Sequence, residues 1–145
     1  MKLDEAYSPD NIFAKILRGE LPAIKLYEDE NTLAFMDIMP QATGHALVIP
    51  KSPATNLLNL DPSACGALLQ TTQKLARAVQ KALDAPGILI AQLNGSAAGQ
   101  TVPHLHFHIL PRHDGLELAF HARDVADMGE LEAVAANIRA ALETL

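Results

Sequence analysis

Tryptophan is missing from this 145-residue chain, cysteine occurs once, and aromatic residues make up only 4% of it. The lone Cys65 excludes an intramolecular disulfide and any thiolate zinc cluster built within the chain. No apolar run approaches the roughly 20 residues that span a bilayer. Positive charge is short as well: 11 Lys and Arg stand against 17 Asp and Glu, a formal net charge of −6. Nucleic acids and anionic membranes call for a positive field, so neither is expected as a partner. A small phosphate ligand held by local amides and imidazoles remains compatible with that charge. The acidic first ten residues lack an apolar signal core, and a cytoplasmic location follows by default. What the chain has is 49% hydrophobic residues, enough to give a single domain a real core.

Residues 1–10 read as a loose, proline-containing arm. Over 11–18, Ile12, Phe13, Ile16 and Leu17 fall at helical spacing, with Gly19 and then Pro22 as the stop. Residues 23–27 and 32–36 read as strands around the polar turn Glu28-Asp29-Glu30-Asn31, which predicts a hairpin. A third strand covers 45–49 and ends at Pro50. Asp61 as N-cap and Pro62 at the first helical position open the longest helix, whose stripe is Leu68, Thr72, Leu75, Val79 and Leu83. The apolar run 87–93 predicts a central strand, and 104–110 a further strand after a small-residue loop. Asp127-x-x-Glu130 resembles a capping box for a last helix with the stripe Met128, Leu131, Ala135, Ile138 and Leu142. Helices interleaved with hairpin-like strands predict an α+β fold with an antiparallel sheet.

Three of the six histidines lie within five residues, His104-Leu105-His106-Phe107-His108. Alternation at strand period puts the three imidazoles on one face and Leu105, Phe107 and Ile109 on the other. Same-face neighbours on a strand are roughly 7 Å apart, close enough to surround one small anionic group. Three readings compete: a polar strand face, a metal site completed by His45 or His113, or nucleophilic and acid–base chemistry at phosphorus. The preceding loop, from Asn94-Gly95-Ser96 to Gly99-Gln100-Thr101-Val102, favours the third. Its backbone amides near Gly99, with the side chains of Gln100 and Thr101, offer neutral donors for phosphate oxygens.

The stretch Gly99-Gln100-Thr101-Val102-Pro103-His104-Leu105-His106-Phe107-His108-Ile109-Leu110 resembles the signature of the histidine triad (HIT) superfamily, and the Hint-like bacterial members in particular. The resemblance extends upstream through Asn11 to Pro22, Leu33 to Ala42 and Gly44 to Lys51. It implies an antiparallel sheet of about five strands with flanking helices over 11–112, with 113–145 as a C-terminal helical extension packed on the same domain. It further implies transfer or hydrolysis at the α-phosphate of a purine nucleotide conjugate of AMP or GMP, with His106 as nucleophile. His104, His108 and His45 correspond to positions that orient or protonate the phosphate and the leaving group. Asp37 falls at the ribose position, Ile12, Phe13, Ile16 and Ile38 around the base, and Asn94, Gly99, Gln100, Thr101 and Val102 at the phosphate loop. For Ile16, ordinary helix core is an equal reading.

Two departures narrow the resemblance. Asn11 and Ala14 occupy the positions of a Cys-x-x-Cys pair that holds structural zinc in many bacterial members, so neither that zinc nor another cofactor is expected. The Trp-containing tail of the Hint-like phosphoramidases is absent, and Leu110-Pro111-Arg112-His113 is closer to dinucleoside polyphosphate hydrolases. A nucleoside phosphoramidase-like hydrolase is the leading expectation. A dinucleoside polyphosphate hydrolase is the alternative, and a nucleotide-binding adaptor with vestigial catalysis is the alternative from another class. A homodimer is expected, because the family usually dimerises and a chain of 15.6 kDa leaves much of this apolar surface uncovered.

Overall fold

The computed structural model describes residues 1–117 and 124–145. Its strands are β1 (Lys25–Glu28), β2 (Thr32–Met36), β3 (Ala46–Pro50), β4 (Gly87–Gln92) and β5 (Phe107–Arg112). Helices α1 (Ile12–Leu17), α2 (Cys65–Leu83) and α3 (Met128–Glu143) flank them. The strands form one sheet in the order β1-β2-β3-β5-β4, antiparallel at every pairing, so the α+β reading with a five-stranded antiparallel sheet holds.

Both faces of β2 and β3 are buried. Leu33, Phe35, Leu47 and Ile49 meet Phe13 and Ile16 of α1, whereas Ala34, Met36, Ala46 and Val48 join the larger core with α2 and α3. Period-2 geometry sends alternate residues to opposite faces, and covering both faces makes these strands apolar throughout. The turn before β2 is closed by Asp29, whose Oδ1 accepts the amides of Asn31 and Thr32 at 2.8 Å each.

The helix signals are local and hold at α1 and α3, whereas α2 starts at Cys65, three residues after the expected Pro62. Asn11 caps α1 through Oδ1, which accepts the Ala14 N–H at 2.9 Å. Asp61 caps a 3₁₀ turn, Pro62–Ala64, that leads into α2, and the stripe Leu68, Thr72, Leu75 and Val79 is buried. Asp127 accepts the Glu130 N–H at 3.0 Å to start α3, whose Leu131, Ala135 and Ile138 enter the core. Met128, expected in that stripe, is instead 51% exposed. Arg139 Nε of α3 donates to the Lys25 carbonyl at 2.8 Å, tying the helix to β1. Residues 118–123 of the C-terminal extension lie outside the described residues. Among the described residues, no helix is long and apolar enough to cross a membrane.

Three expectations change. The apolar run 87–93 forms an edge strand and not a central one: among the described residues β4 pairs only with β5, and Leu89 and Ile90 stand 38% and 46% exposed. The last strand begins at Phe107 and not at His104. Register pairs Phe107 with Val48, so further pairing would run past Pro50, which has no N–H to offer. Leu105 N–H turns to the Ala54 carbonyl instead, at 2.8 Å. The arm 1–10 is docked: Ser96 N–H donates to the Met1 carbonyl, Asn56 Nδ2 to that of Leu3, and Thr55 Oγ1 to that of Glu5.

Candidate active site

The four histidines singled out from the sequence gather on the α1 side of the sheet. His106 and His108 rings lie 4.9 Å apart, His45 and His108 rings 5.2 Å apart, and the Phe13 ring stands edge-on to His106 at 5.0 Å. Leu105 and Ile109 point the other way into the core, with Phe107 packed against it. The common face survives although His104 and His106 precede β5. His45 enters through the turn before β3, where Gly44 adopts φ 90°, a left-handed conformation that a side chain disfavours. A Cβ there would also meet Leu83 and Pro111 side chains at 3.1–3.2 Å.

Hydrogen bonds fix each imidazole tautomer. His106 Nδ1 lies 2.7 Å from the His104 carbonyl oxygen, which can only accept. The proton therefore sits on Nδ1, and Nε2 keeps its lone pair with no partner among the described residues. His45 Nδ1 accepts the Gln41 N–H at 3.1 Å, leaving the His45 proton on Nε2. That Nε2–H donates to His108 Nδ1 at 2.9 Å, so the His108 proton resides on its own Nε2. One backbone amide thus propagates through two rings to set an N–H beside the His106 lone pair. His104 is different. Its Nε2 donates to the Pro50 carbonyl at 2.9 Å and its Nδ1 is 2.7 Å from the Tyr7 hydroxyl, so no ring nitrogen is left for a ligand.

Burial keeps these rings neutral near pH 7. It pushes the His45 pKa down to about 3, helped by the nearby His108 and His106. It pushes His104 down to about 4 against the opposing bond to Pro50, and His108 down to about 4 with help from His106. His106 is lowered by burial, opposed by its bond to the His104 carbonyl. Asp37 moves the other way, raised by burial against a hydrogen bond from Met39 N–H. Its Oδ2 lies 3.5 Å from His45 Nε2, but a neutral His45 makes this a polar contact and not an ion pair. Asp37, His45 and His108 do place one ligand atom each within 4.8 Å of one another. A metal fits that trio poorly, because the Gln41 amide keeps a proton, not a lone pair, on His45 Nε2.

The remaining candidates divide. Phe13 and Ile16 are buried under the sheet, and Val102 packs against the same cluster. Ile12 and Ile38 are half exposed, and Thr101 is exposed on its loop. Asn94 is engaged with Gln92 at both ends of its amide and accepts the Leu57 N–H at 2.9 Å. Gln100, expected to offer its side chain to phosphate, has a different task in the fold. Its Oε1 accepts the Gly95 N–H at 2.7 Å and its Nε2 donates to the Thr55 and Val102 carbonyls, so no side-chain N–H is free. Gln100 braces the loop, with Gly99 in the left-handed region at its turn.

Sequence reasoning missed Tyr7 and the Gln41 amide. Neither carries a local signal: one lies in an arm with no periodic pattern, and the other contributes through its backbone.

Comparison with known proteins finds related sequences and the same fold. The HIT domain family profile matches residues 18–115. An adenosine 5′-monophosphoramidase of Schizosaccharomyces pombe is 43% identical over 101 residues, 70% of this chain and 73% of that protein. An adenylylsulfatase of Arabidopsis thaliana is 40% identical over 103 residues, 71% of this chain and 52% of that protein. The crystal structure of a Hit-like protein from Bartonella henselae superposes with a TM-score of 0.88 at 49% identity, covering 94% of this chain and 99% of that one. The likeness runs through sequence and architecture together, and this chain belongs to the HIT domain family.

Proposed function

We propose that this protein is a nucleotide-binding hydrolase that cleaves purine nucleotide conjugates at the α-phosphorus, with His106 as covalent nucleophile. The observation that carries the reading is the pairing of tautomers: a lone pair on His106 Nε2 beside an N–H on His108. Nε2 attacks phosphorus, the bond to the leaving group breaks, and Nδ1–H stays on the His104 carbonyl as the ring takes on charge. The arriving phosphate raises the His108 pKa, so its Nδ1 takes a proton from solvent as the His45 Nε2–H turns to Asp37 Oδ2, 3.5 Å away, and the His108 Nε2–H proton passes to the leaving amine or oxyanion. Water then attacks the nucleotidyl-histidine, gives its proton to His108, and releases the nucleoside monophosphate. Asp37 accepts the ribose hydroxyls, Ile12, Phe13, Ile16 and Ile38 line the base, and the amides near Gly99 with Asn94, Thr101 and Val102 border the phosphate.

The phosphoramidase and adenylylsulfatase relatives support a conjugate of AMP carrying a small leaving group. Turnover of adenosine 5′-phosphoramidate and adenylyl sulfate, set beside diadenosine tri- and tetraphosphate, tests this. Higher kcat/KM for the first pair is the expected result. Preference for the dinucleotides assigns the polyphosphate-hydrolase alternative, and no turnover of any of them assigns a binding protein.

The same reading includes a homodimer formed through the edge strand β4. Its Leu89 and Ile90 are exposed for an edge position, and exposed hydrogen-bonding edges invite a second strand. Light scattering at micromolar concentration is expected to give twice the 15.6 kDa chain mass, and a monomer would remove the dimer from this reading.

A further inference from the structure

We propose that Tyr7, from the N-terminal arm, is a positioning residue that clamps His104 so that the His104 carbonyl holds the His106 ring. The proposal rests on the nucleotidyl-histidine reading above.

The arm is placed by contacts of its own. The carbonyls of Met1, Leu3 and Glu5 accept hydrogen bonds from Ser96, Asn56 and Thr55, at 3.1, 3.0 and 3.3 Å. These bonds bring Tyr7 to His104, 97 residues away in sequence, with the rings edge-on at 5.5 Å and the hydroxyl 2.7 Å from Nδ1. Acceptor accounting gives the contact its direction. The Pro50 carbonyl takes the proton of Nε2, so Nδ1 of the neutral ring has only a lone pair, and the Tyr7 hydroxyl donates to it. His104 is fully buried, and without that donor its Nδ1 would be an unsatisfied acceptor in the interior.

The backbone explains why the clamp reaches His106. His104 lies before β5, so no strand ladder holds its carbonyl. The nearest backbone tether is Leu105 N–H to the Ala54 carbonyl, next to the Thr55 and Asn56 side chains that hold the arm. The position of the carbonyl that accepts His106 Nδ1–H therefore depends on the His104 ring, fixed at one nitrogen by Pro50 and at the other by Tyr7. Tyr7 precedes the matched family residues 18–115, and it acts on the nucleophile from outside them.

Tyr7→Phe keeps the ring packing and removes only the hydroxyl. In the full chain, kcat is expected to fall about tenfold with KM changed by less than about twofold, the loss of one net hydrogen bond expressed on the chemical step. Nitrogen-15 spectra of the imidazoles, recorded without substrate, are expected to show the His104 Nδ1 resonance displaced and the His106 ring signals shifted with it. An unmoved His104 resonance overturns the contact. A moved His104 resonance with unchanged His106 signals and unchanged kcat overturns the positioning role, and a loss carried by KM assigns Tyr7 to binding and overturns it too. If the wild-type protein turns over no nucleotide conjugate, the functional reading fails separately, and the two imidazole spectra still decide whether Tyr7 holds the pair.

Discussion

His106→Ala is expected to lower turnover by several orders of magnitude while nucleotide monophosphate binding largely survives. Of the four imidazoles gathered in the site, the variant removes the one whose Nε2 lone pair is uncommitted, and with it the covalent route. His45 Nε2 and His108 Nε2 carry protons, and His104 is bonded at both nitrogens. No neighbouring ring can take over the attack without rebuilding the network. On the proposed reading, binding rests on Asp37 and the apolar residues around the base, so its survival separates lost chemistry from lost fold. His108→Ala is expected to be milder, roughly 10²–10⁴-fold, because it removes acid assistance and keeps the nucleophile. Rapid quench with mass spectrometry is expected to find a nucleotidyl adduct on His106 of the wild type and none in the variant. Near-normal turnover of His106→Ala, or an adduct on another residue, would show that the mechanism is different.

The second large effect is on stability. The protein is expected to lose stability steadily as pH falls from 6.5 towards 4. In the unfolded chain each histidine protonates around pH 6.5, whereas in the fold His45 resists protonation down to about 3 and His104 to about 4. Between those values the unfolded state binds more protons, so falling pH favours unfolding. Each such group contributes up to about 1.4 kcal/mol per pH unit within the window. Two fully buried rings acting together give a loss on the order of 3 kcal/mol between pH 6.5 and 5, a large part of a typical domain's stability. His106 and His108, also lowered, add in the same direction. Asp37 opposes them at the acidic end, since its raised pKa lets the fold bind a proton early. Urea unfolding midpoints at pH 7.5, 6 and 5 measure the effect. A midpoint that stays constant over that range would mean that the rings are solvated or already charged in the fold.

Much of the fold is legible in the sequence because its signals are short-range. A helix start is decided by whether a side chain reaches an amide two or three residues on, so Asp61 and Asp127 can be read as caps from their neighbours alone. Strand β2 takes the limits that its residues predict, because its pattern and its flanking turn are both local. The His-x-His-x-His alternation likewise places three rings on one side, since backbone period and not pairing decides where successive side chains point.

Other features have no local signature. An apolar run of strand length looks the same at the centre of a sheet as at its edge, and only the order of five strands puts β4 outside. Gln100 reads as a ligand donor from its place in a small-residue loop. The carbonyls of Thr55 and Val102 and the Gly95 amide, gathered by folding, consume its donors and its acceptor. The sequence by itself determined the α+β class, the positions of the helices and which histidines share a face, because all of these follow from periodicity and neighbours. Only the tertiary structure decided the proton positions of His104 and His108, since each depends on a partner distant in sequence: His104 on the Tyr7 hydroxyl and the Pro50 carbonyl, His108 on a ring 63 residues earlier. A histidine can be named a nucleophile from its motif, but which of its nitrogens carries the lone pair is settled by the hydrogen bonds that the fold brings to it.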